Sequence, residues 1–307
     1  MNAFDLYCAF QNVDDDVLQR CQKVKRASVA MKRAKAAAAC LFLILGIAVT
    51  AEATTGSVSN LFAPLFGMAQ TELVDDIGVP VGVSASADGY TITAEAVIGD
   101  RYNIAVVYTL SRDDGQPLPE GLRIDYEEKA GGPGGGWTGW EKNEEDPSKI
   151  YFIESWSLGQ AIRGRFWAVS FSNLAIHGEG DEQTIIAEGP WELKFTLRYK
   201  DTSRKIPVNK LRVSDELGND YQINQIWISP VGIYMIWKKK EELYMNISIV
   251  MKDGTVIPLE DHGAGGHFTE GDKKAKANFR AMFNIPLALE DIASLLICGT
   301  EYPVDLR

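Results

Sequence analysis

The sequence predicts a mainly β protein: short N-terminal cytoplasmic helices, one transmembrane helix, then two tandem β-sandwich (Ig-like) modules. Three observations carry that expectation. The run Ala36 to Ala51 (AAAACLFLILGIAVTA) holds no charge or amide and follows Lys32, Arg33 and Lys35. Beyond it, apolar residues recur with period 2, broken by turn dipeptides. No long amphipathic helix interrupts that alternation, so a parallel βαβ architecture is not expected.

The head, residues 1–35, reads as two short helices. Phe4, Leu6, Tyr7 and Phe10 form an apolar stripe, and Asn12-Val13 interrupts it. Asp14, Asp15 and Asp16 then open a second helix, where carboxylates favour the positive end of the dipole and Asp14 is a candidate cap. Val17, Cys21 and Val24 follow at helical spacing, with Leu18 beside them. A segment this short cannot bury such stripes alone, so it awaits a partner or lies along a bilayer.

The span is assigned to residues 36–55. The uncharged core alone is about 16 residues, or roughly 24 Å of helix, short of the ~20 that cross a bilayer. Snorkelling of Lys35 and Glu52 extends it to a full span. Seven Lys/Arg precede it in the head, whereas Glu52 and Glu72 are the only charges in the next twenty-odd residues. The positive-inside rule therefore places the N-terminus in the cytoplasm and the rest outside, in a single-pass cell-membrane protein. A cleaved signal peptide is the rival reading, since Ala51-Glu52-Ala53 is a small-x-small sequence; a buried core helix is the third. The long basic head favours the retained span.

Residues 56–76 read as a juxtamembrane linker with one apolar patch, Leu61 to Phe66, and as a place where proteolysis could release a signal. A first β domain is assigned to 77–203. Its strands are read at Val81–Val83, Tyr90–Val97, Tyr102–Tyr108, Ile150–Ile153, Phe166–Phe171, Thr184–Ala187 and Trp191–Tyr199, with Asp88-Gly89 and Gly99-Asp100 as turns. A second β domain is assigned to 204–307, with strands at Lys210–Val213, Tyr221–Ile228, Gly232–Trp237, Tyr244–Met251 and Thr255–Leu259. A weak internal echo links Tyr90-x-Ile92 with its following strand to Tyr221-x-Ile223 with Ile233-x-Met235-x-Trp237.

Charge and cysteines bound the function. The chain carries −11 in all; the head has seven cations against four anions, +3, which leaves −14 for the remainder. An acidic outer part argues against direct nucleic-acid binding. Of four cysteines only Cys298 lies beyond the span, so this is no disulfide scaffold.

The search for chemistry yields little. Neither GxSxG nor HExxH occurs, and no catalytic residue, cofactor or metal is expected. His262 and His267 frame a glycine-rich turn beside Glu260 and Glu270, but the spacing matches no tight metal site, and a solvated turn is the preferred reading. Ala130 to Gly136 lacks the Gly-Lys-Ser/Thr ending of a phosphate loop. Trp137 and Trp140 follow that loop among polar neighbours and are the candidate ligand-binding residues, able to stack on a glycan or peptide. The remaining tryptophans sit on strand patterns and are assigned to the core.

The head Asp5-Leu6-Tyr7-Cys8-Ala9-Phe10-Gln11-Asn12-Val13-Asp14-Asp15-Asp16-Val17-Leu18, followed by a basic stretch and one apolar run, resembles membrane-anchored anti-sigma-factor-like proteins of Gram-positive bacteria whose outer region is an uncharacterised β domain. Asp88 to Thr93 with its continuation to Tyr108 is similar to that family's first outer module. Ile228 to Tyr234, Lys252-Asp253-Gly254 and the closing Leu289 to Val304 are similar to its C-terminal module. The head lacks a His-x3-Cys-x2-Cys arrangement, so the zinc-bearing anti-sigma fold is excluded. The resemblance implies a non-enzymatic regulator whose head binds a sigma factor of the extracytoplasmic-function type while the outer domains sense the envelope. Phe4, Leu6, Tyr7, Phe10, Val17 and Leu18 would fill grooves of that basic partner, and Asp14, Asp15 and Asp16 would compete with DNA phosphates for it. The alternative is an envelope-displayed binding module with a simple anchor, whose ligand is unknown.

Overall fold

A computed structural model describes residues 57–306, apart from 68–70, 129–133, 143–145, 160, 163–165, 178–182, 210, 215–217, 219, 238–245, 260–264 and 268–276. Two helices lead, α1 (Val58–Phe66) and α2 (Thr71–Ile77). Eight strands follow: β1 (Val79–Ala87), β2 (Tyr90–Gly99), β3 (Asn103–Arg112), β4 (Leu122–Glu128), β5 (Gly134–Lys142), β6 (Lys149–Leu158), β7 (Phe166–His177) and β8 (Gln183–Thr196). The later part holds β9 (Arg204–Ile206), β10 (Leu211–Ser214), β11 (Asp220–Ser229), β12 (Gly232–Trp237), β13 (Ile247–Met251), β14 (Val256–Pro258), β15 (Gly265–His267), β16 (Ala277–Met282), β17 (Ile292–Ile297) and β18 (Thr300–Pro303).

These strands build four antiparallel sheets, ordered β1-β2-β3-β6-β5, β4-β7-β8, β10-β11-β12-β16-β15 with β9 also on β11, and β14-β13-β17-β18. The first pair of sheets encloses one apolar cluster, in which Ile92, Tyr108, Phe152, Phe171, Leu174 and Trp191 are almost wholly buried. The second pair encloses another around Ile226, Met235, Trp237, Ile249 and Leu295. Trp167, Trp191 and Trp237 are core residues, in keeping with their strand patterns.

The sequence of β3 explains a third cluster. Ile104, Val106, Tyr108 and Leu110 face the three-stranded sheet, but the intervening Ala105 and Val107 are equally buried. A strand covered on one face would carry polar residues at the alternate positions. Here α1 and α2 cover the second face with Phe62, Phe66, Val74 and Ile77. In β2 a bulge at Glu95, between Ala94 and Ala96, shifts the register so that Ala96 and Ile98 join this layer while Val97 turns to the opposite one. The stretch read as a linker thus contains two packed helices. Asp75 of α2 ties them together, accepting from the Ser59 backbone N–H at 2.8 Å and the Ser57 hydroxyl at 2.7 Å, and these bonds hold its carboxyl below the ordinary value.

The mainly β architecture stands, but two parts of the expected fold class need correction. Among the described residues no helix is long and apolar enough to cross a membrane; the expected span at 36–55 lies outside the described residues. Nor do two tandem modules describe the arrangement. The third cluster takes Val231 and Met282 from the later half against Ile98, Val107 and Ile153 from the earlier one. A buried polar group fastens the same junction. Period-2 alternation reports which face of a strand is covered, but not what covers the turn at its end.

Candidate functional site

The junction is built from the turns of two hairpins, β2–β3 and β11–β12, which are the pair linked by the weak sequence echo. At the first turn Asp100 is only 3 % exposed, and at the second Ser229 is fully buried. One Asp100 oxygen accepts from the Tyr102 and Asn103 backbone N–H groups at 2.6 and 2.7 Å. The other accepts from Asn103 Nδ2 at 2.9 Å and from the Ser229 hydroxyl in a very short contact. Ser229 Oγ in turn accepts from the backbone N–H groups of Val231 (3.1 Å) and Gly232 (3.0 Å). Asn103 Oδ1 accepts from Ser157 on β6, and Tyr199 donates to the Asp100 carbonyl at 3.1 Å.

The sequence Gly99-Asp100-Arg101-Tyr102-Asn103 suits this task. Aspartate in a turn hydrogen-bonds its own backbone two and three residues on, which fixes the loop. Gly99 is required by space, because a Cβ there would stand 2.8 Å from the Asn103 carbonyl and from the Tyr199 ring. Burial pushes the Asp100 carboxyl above its ordinary value, while the bonds from Ser229, Asn103 and the two backbone N–H groups favour the anion and work against that rise. With both oxygens occupied, this carboxylate is a fastening and is poorly placed to exchange a proton with a substrate.

The rest of the turn lies across a row of opposed side chains. Lys205, Trp227, Tyr234 and Arg280 face one another in register on β9, β11, β12 and β16, and Gly265 on β15 completes the row. Directly opposed residues share a face, so these form one band. The Arg101 guanidinium stands 4.6 Å over the Trp227 ring, with Lys205 Nζ 5.9 Å from the same ring. Tyr102 stacks on Tyr234 at 3.7 Å with the planes 5° apart. Tyr234 donates to the Gly159 carbonyl at 3.0 Å, and burial pushes its phenol up to about 12. Arg280 ends the band, and burial pulls its guanidinium below the ordinary value.

A second buried carboxylate lies within the first core. Glu154 on β6 is 2 % exposed and accepts from the Tyr108 hydroxyl at 3.2 Å, and Trp167 Nε1 donates to that hydroxyl at 3.3 Å. Burial raises its carboxyl above the ordinary value, opposed by the neighbouring Trp156 and Tyr108 donors.

The sequence-derived candidates lie elsewhere. Phe4, Leu6, Tyr7, Phe10, Asp14, Asp15, Asp16, Val17 and Leu18 are outside the described residues. Trp137 and Trp140 stand on the edge strand β5, in register with Ser155 and Phe152 of β6. Among the described residues no three His, Cys, Asp or Glu groups come together as a metal site; His267 lies on β15 and His262 outside the described residues. Sequence reasoning identified Gly99-Asp100 as a turn and missed its burial. The available signal was Asp100 followed by Asn103, two side chains suited to bonding a turn from within.

No family model matches the chain, and no curated protein matches it. Among solved structures it is similar to one described as the crystal structure of the conserved domain protein from Bacillus anthracis, with 15% identity and a TM-score of 0.49. The match covers 72% of this chain and 77% of that one. A likeness at this level carries no argument about function.

Proposed function

We propose that this chain is a non-enzymatic regulator resembling an anti-sigma factor, its head docking an extracytoplasmic-function sigma factor and its β portion sensing the envelope. The observation that carries the reading is the head: two apolar stripes split by Asp14, Asp15 and Asp16, in a segment too short to bury them itself. The proposed location is the cell membrane, with the N-terminus cytoplasmic and the β portion extracytoplasmic, on the strength of the basic flank before the apolar run. In this reading the fastened turns at Asp100 and Ser229 make the β portion respond as one piece to whatever it contacts.

Capture by the full-length protein tests this, with Val17→Asp/Leu18→Asp as the comparison. A sigma factor retained by the native chain and lost by the variant supports the proposal. Good expression with no sigma factor on either chain counts against it.

The second reading, an envelope-displayed module that binds glycan or peptide, draws on Trp137 and Trp140 belonging to an edge strand, whose outer backbone groups suit the addition of an extended peptide. Loss of ligand retention in Trp137→Ala/Trp140→Ala, with folding preserved, would favour it.

A further inference from the structure

Among the buried titratable groups described, Asp100 has hydrogen-bond partners on both carboxylate oxygens and Glu154 on one, whereas no ion pair among the described residues involves Arg280. Arg280 is 4 % exposed, and its Nη1 has no hydrogen-bond partner. The ion pairs found among the described residues lie elsewhere, at Arg112–Asp114, Lys149–Asp146 and Lys194–Glu192. A guanidinium nitrogen removed from water without a hydrogen-bond partner is costly, and a small polar molecule or ion seated against it removes that cost.

A second unmet group stands beside it. Asn278 lies two residues earlier on β16, hence on the same face, about 7 Å away along the strand. Its Oδ1 is buried and also without a partner. Asn278 is only half-buried as a residue, so the pair runs from the surface down to Arg280. In the sheet register Arg280 is opposed by Tyr234 on β12 and by Gly265 on β15.

The two groups demand complementary things. Arg280 offers N–H donors in a planar fork that matches an oxyanion, and Asn278 Oδ1 calls for a donor. We propose that Arg280 and Asn278 form a binding site for a compact oxyanion that also carries a hydroxyl, such as hydrogen phosphate or a hydroxy-carboxylate. The oxyanion pairs with the Arg280 guanidinium, and the hydroxyl donates to Asn278 Oδ1. A carboxylate without a hydroxyl satisfies only the first contact and binds more weakly.

Calorimetric titration of the full-length protein with inorganic phosphate, lactate and propionate tests the site, with circular dichroism to verify folding of each variant. Saturable binding of phosphate or lactate is expected, and which of the two binds separates a phosphoryl from a carboxylate ligand. Propionate should bind about tenfold more weakly than lactate, the loss of roughly one hydrogen bond to a charged or buried partner. Arg280→Gln should abolish binding. If that variant does not fold, Asn278→Leu serves instead and should erase the preference for lactate over propionate while leaving propionate binding intact. Absence of saturable binding by all three anions overturns the proposal, as does binding that survives Arg280→Gln in a folded protein.

Discussion

Ser229→Ala is the sharpest test of the junction. The substitution removes one oxygen from a fully buried position and leaves the backbone free to keep its course. Three contacts go with it: the bond to Asp100, and the acceptor used by the Val231 and Gly232 N–H groups. A hydrogen bond to a charged group contributes about 1.5–3 kcal/mol, and one buried donor left unsatisfied costs about 1–3 kcal/mol. Counting the charged bond and a single orphaned N–H gives a loss of about 2.5–6 kcal/mol. For a folded region of this size, that corresponds to a fall in Tm of about 5–24 °C. Thermal and urea unfolding of the full-length protein would measure it. Ser84→Ala provides the comparison, since its hydroxyl pairs only with Thr93 at a partly exposed site and should cost under about 1 kcal/mol. A loss at Ser229 no larger than that at Ser84 would refute the claim that the two hairpin turns are fastened through Asp100.

Three further outcomes follow from the same contacts. Gly232→Ala places a Cβ 2.6 Å from the Ala281 carbonyl and against Asn103 Nδ2, so overpacking of about 1–3 kcal/mol is expected in urea unfolding. Tyr199→Phe should cost about 1 kcal/mol by removing the bond to the Asp100 carbonyl, with little change in secondary structure by circular dichroism. Glu154→Gln should alter the pH dependence of stability: the raised folded-state value means that the neutral acid is favoured in the fold, so the contribution of Glu154 is fully present below the ordinary carboxylate range and is lost as pH rises through the raised value. Relative to Glu154→Gln, the wild type should therefore weaken as pH rises through that window, and parallel urea midpoints for the two proteins would contradict the assignment.

Much of the strand order was legible because burial on one face imposes alternation. β12 coincides with the predicted Gly232–Trp237, and β2 and β11 begin at or beside the predicted tyrosines. The predicted strands Thr184–Ala187 and Trp191–Tyr199 flank Gly189-Pro190, yet β8 runs through, with the register adjusting around those residues. β4, with Arg123, Asp125 and two glutamates, has too little apolar character to announce itself. β16 carries Arg280 at its centre, and a buried cation reads locally as a surface residue. The glycine-rich start of β5 lowers its strand propensity, although pairing with β6 specifies it. The junction escaped prediction for a related reason. Asp100 and Ser229 are 129 residues apart, and nothing local to either states that the other will cover it.

The two leading helices bear on how force would travel through the molecule. Because α1 is stitched to α2 through Asp75 and pressed onto the sheet by Phe62 and Phe66, the chain enters the β region through a bolted fitting. Tension applied at Ser57 would first shear that helical pair across the sheet. The same apolar layer holds Val231 and Met282, so the strain would reach the hairpin turns of the later sheets directly. A pull at the N-terminal end and a ligand at the far sheets would thus work on a common joint.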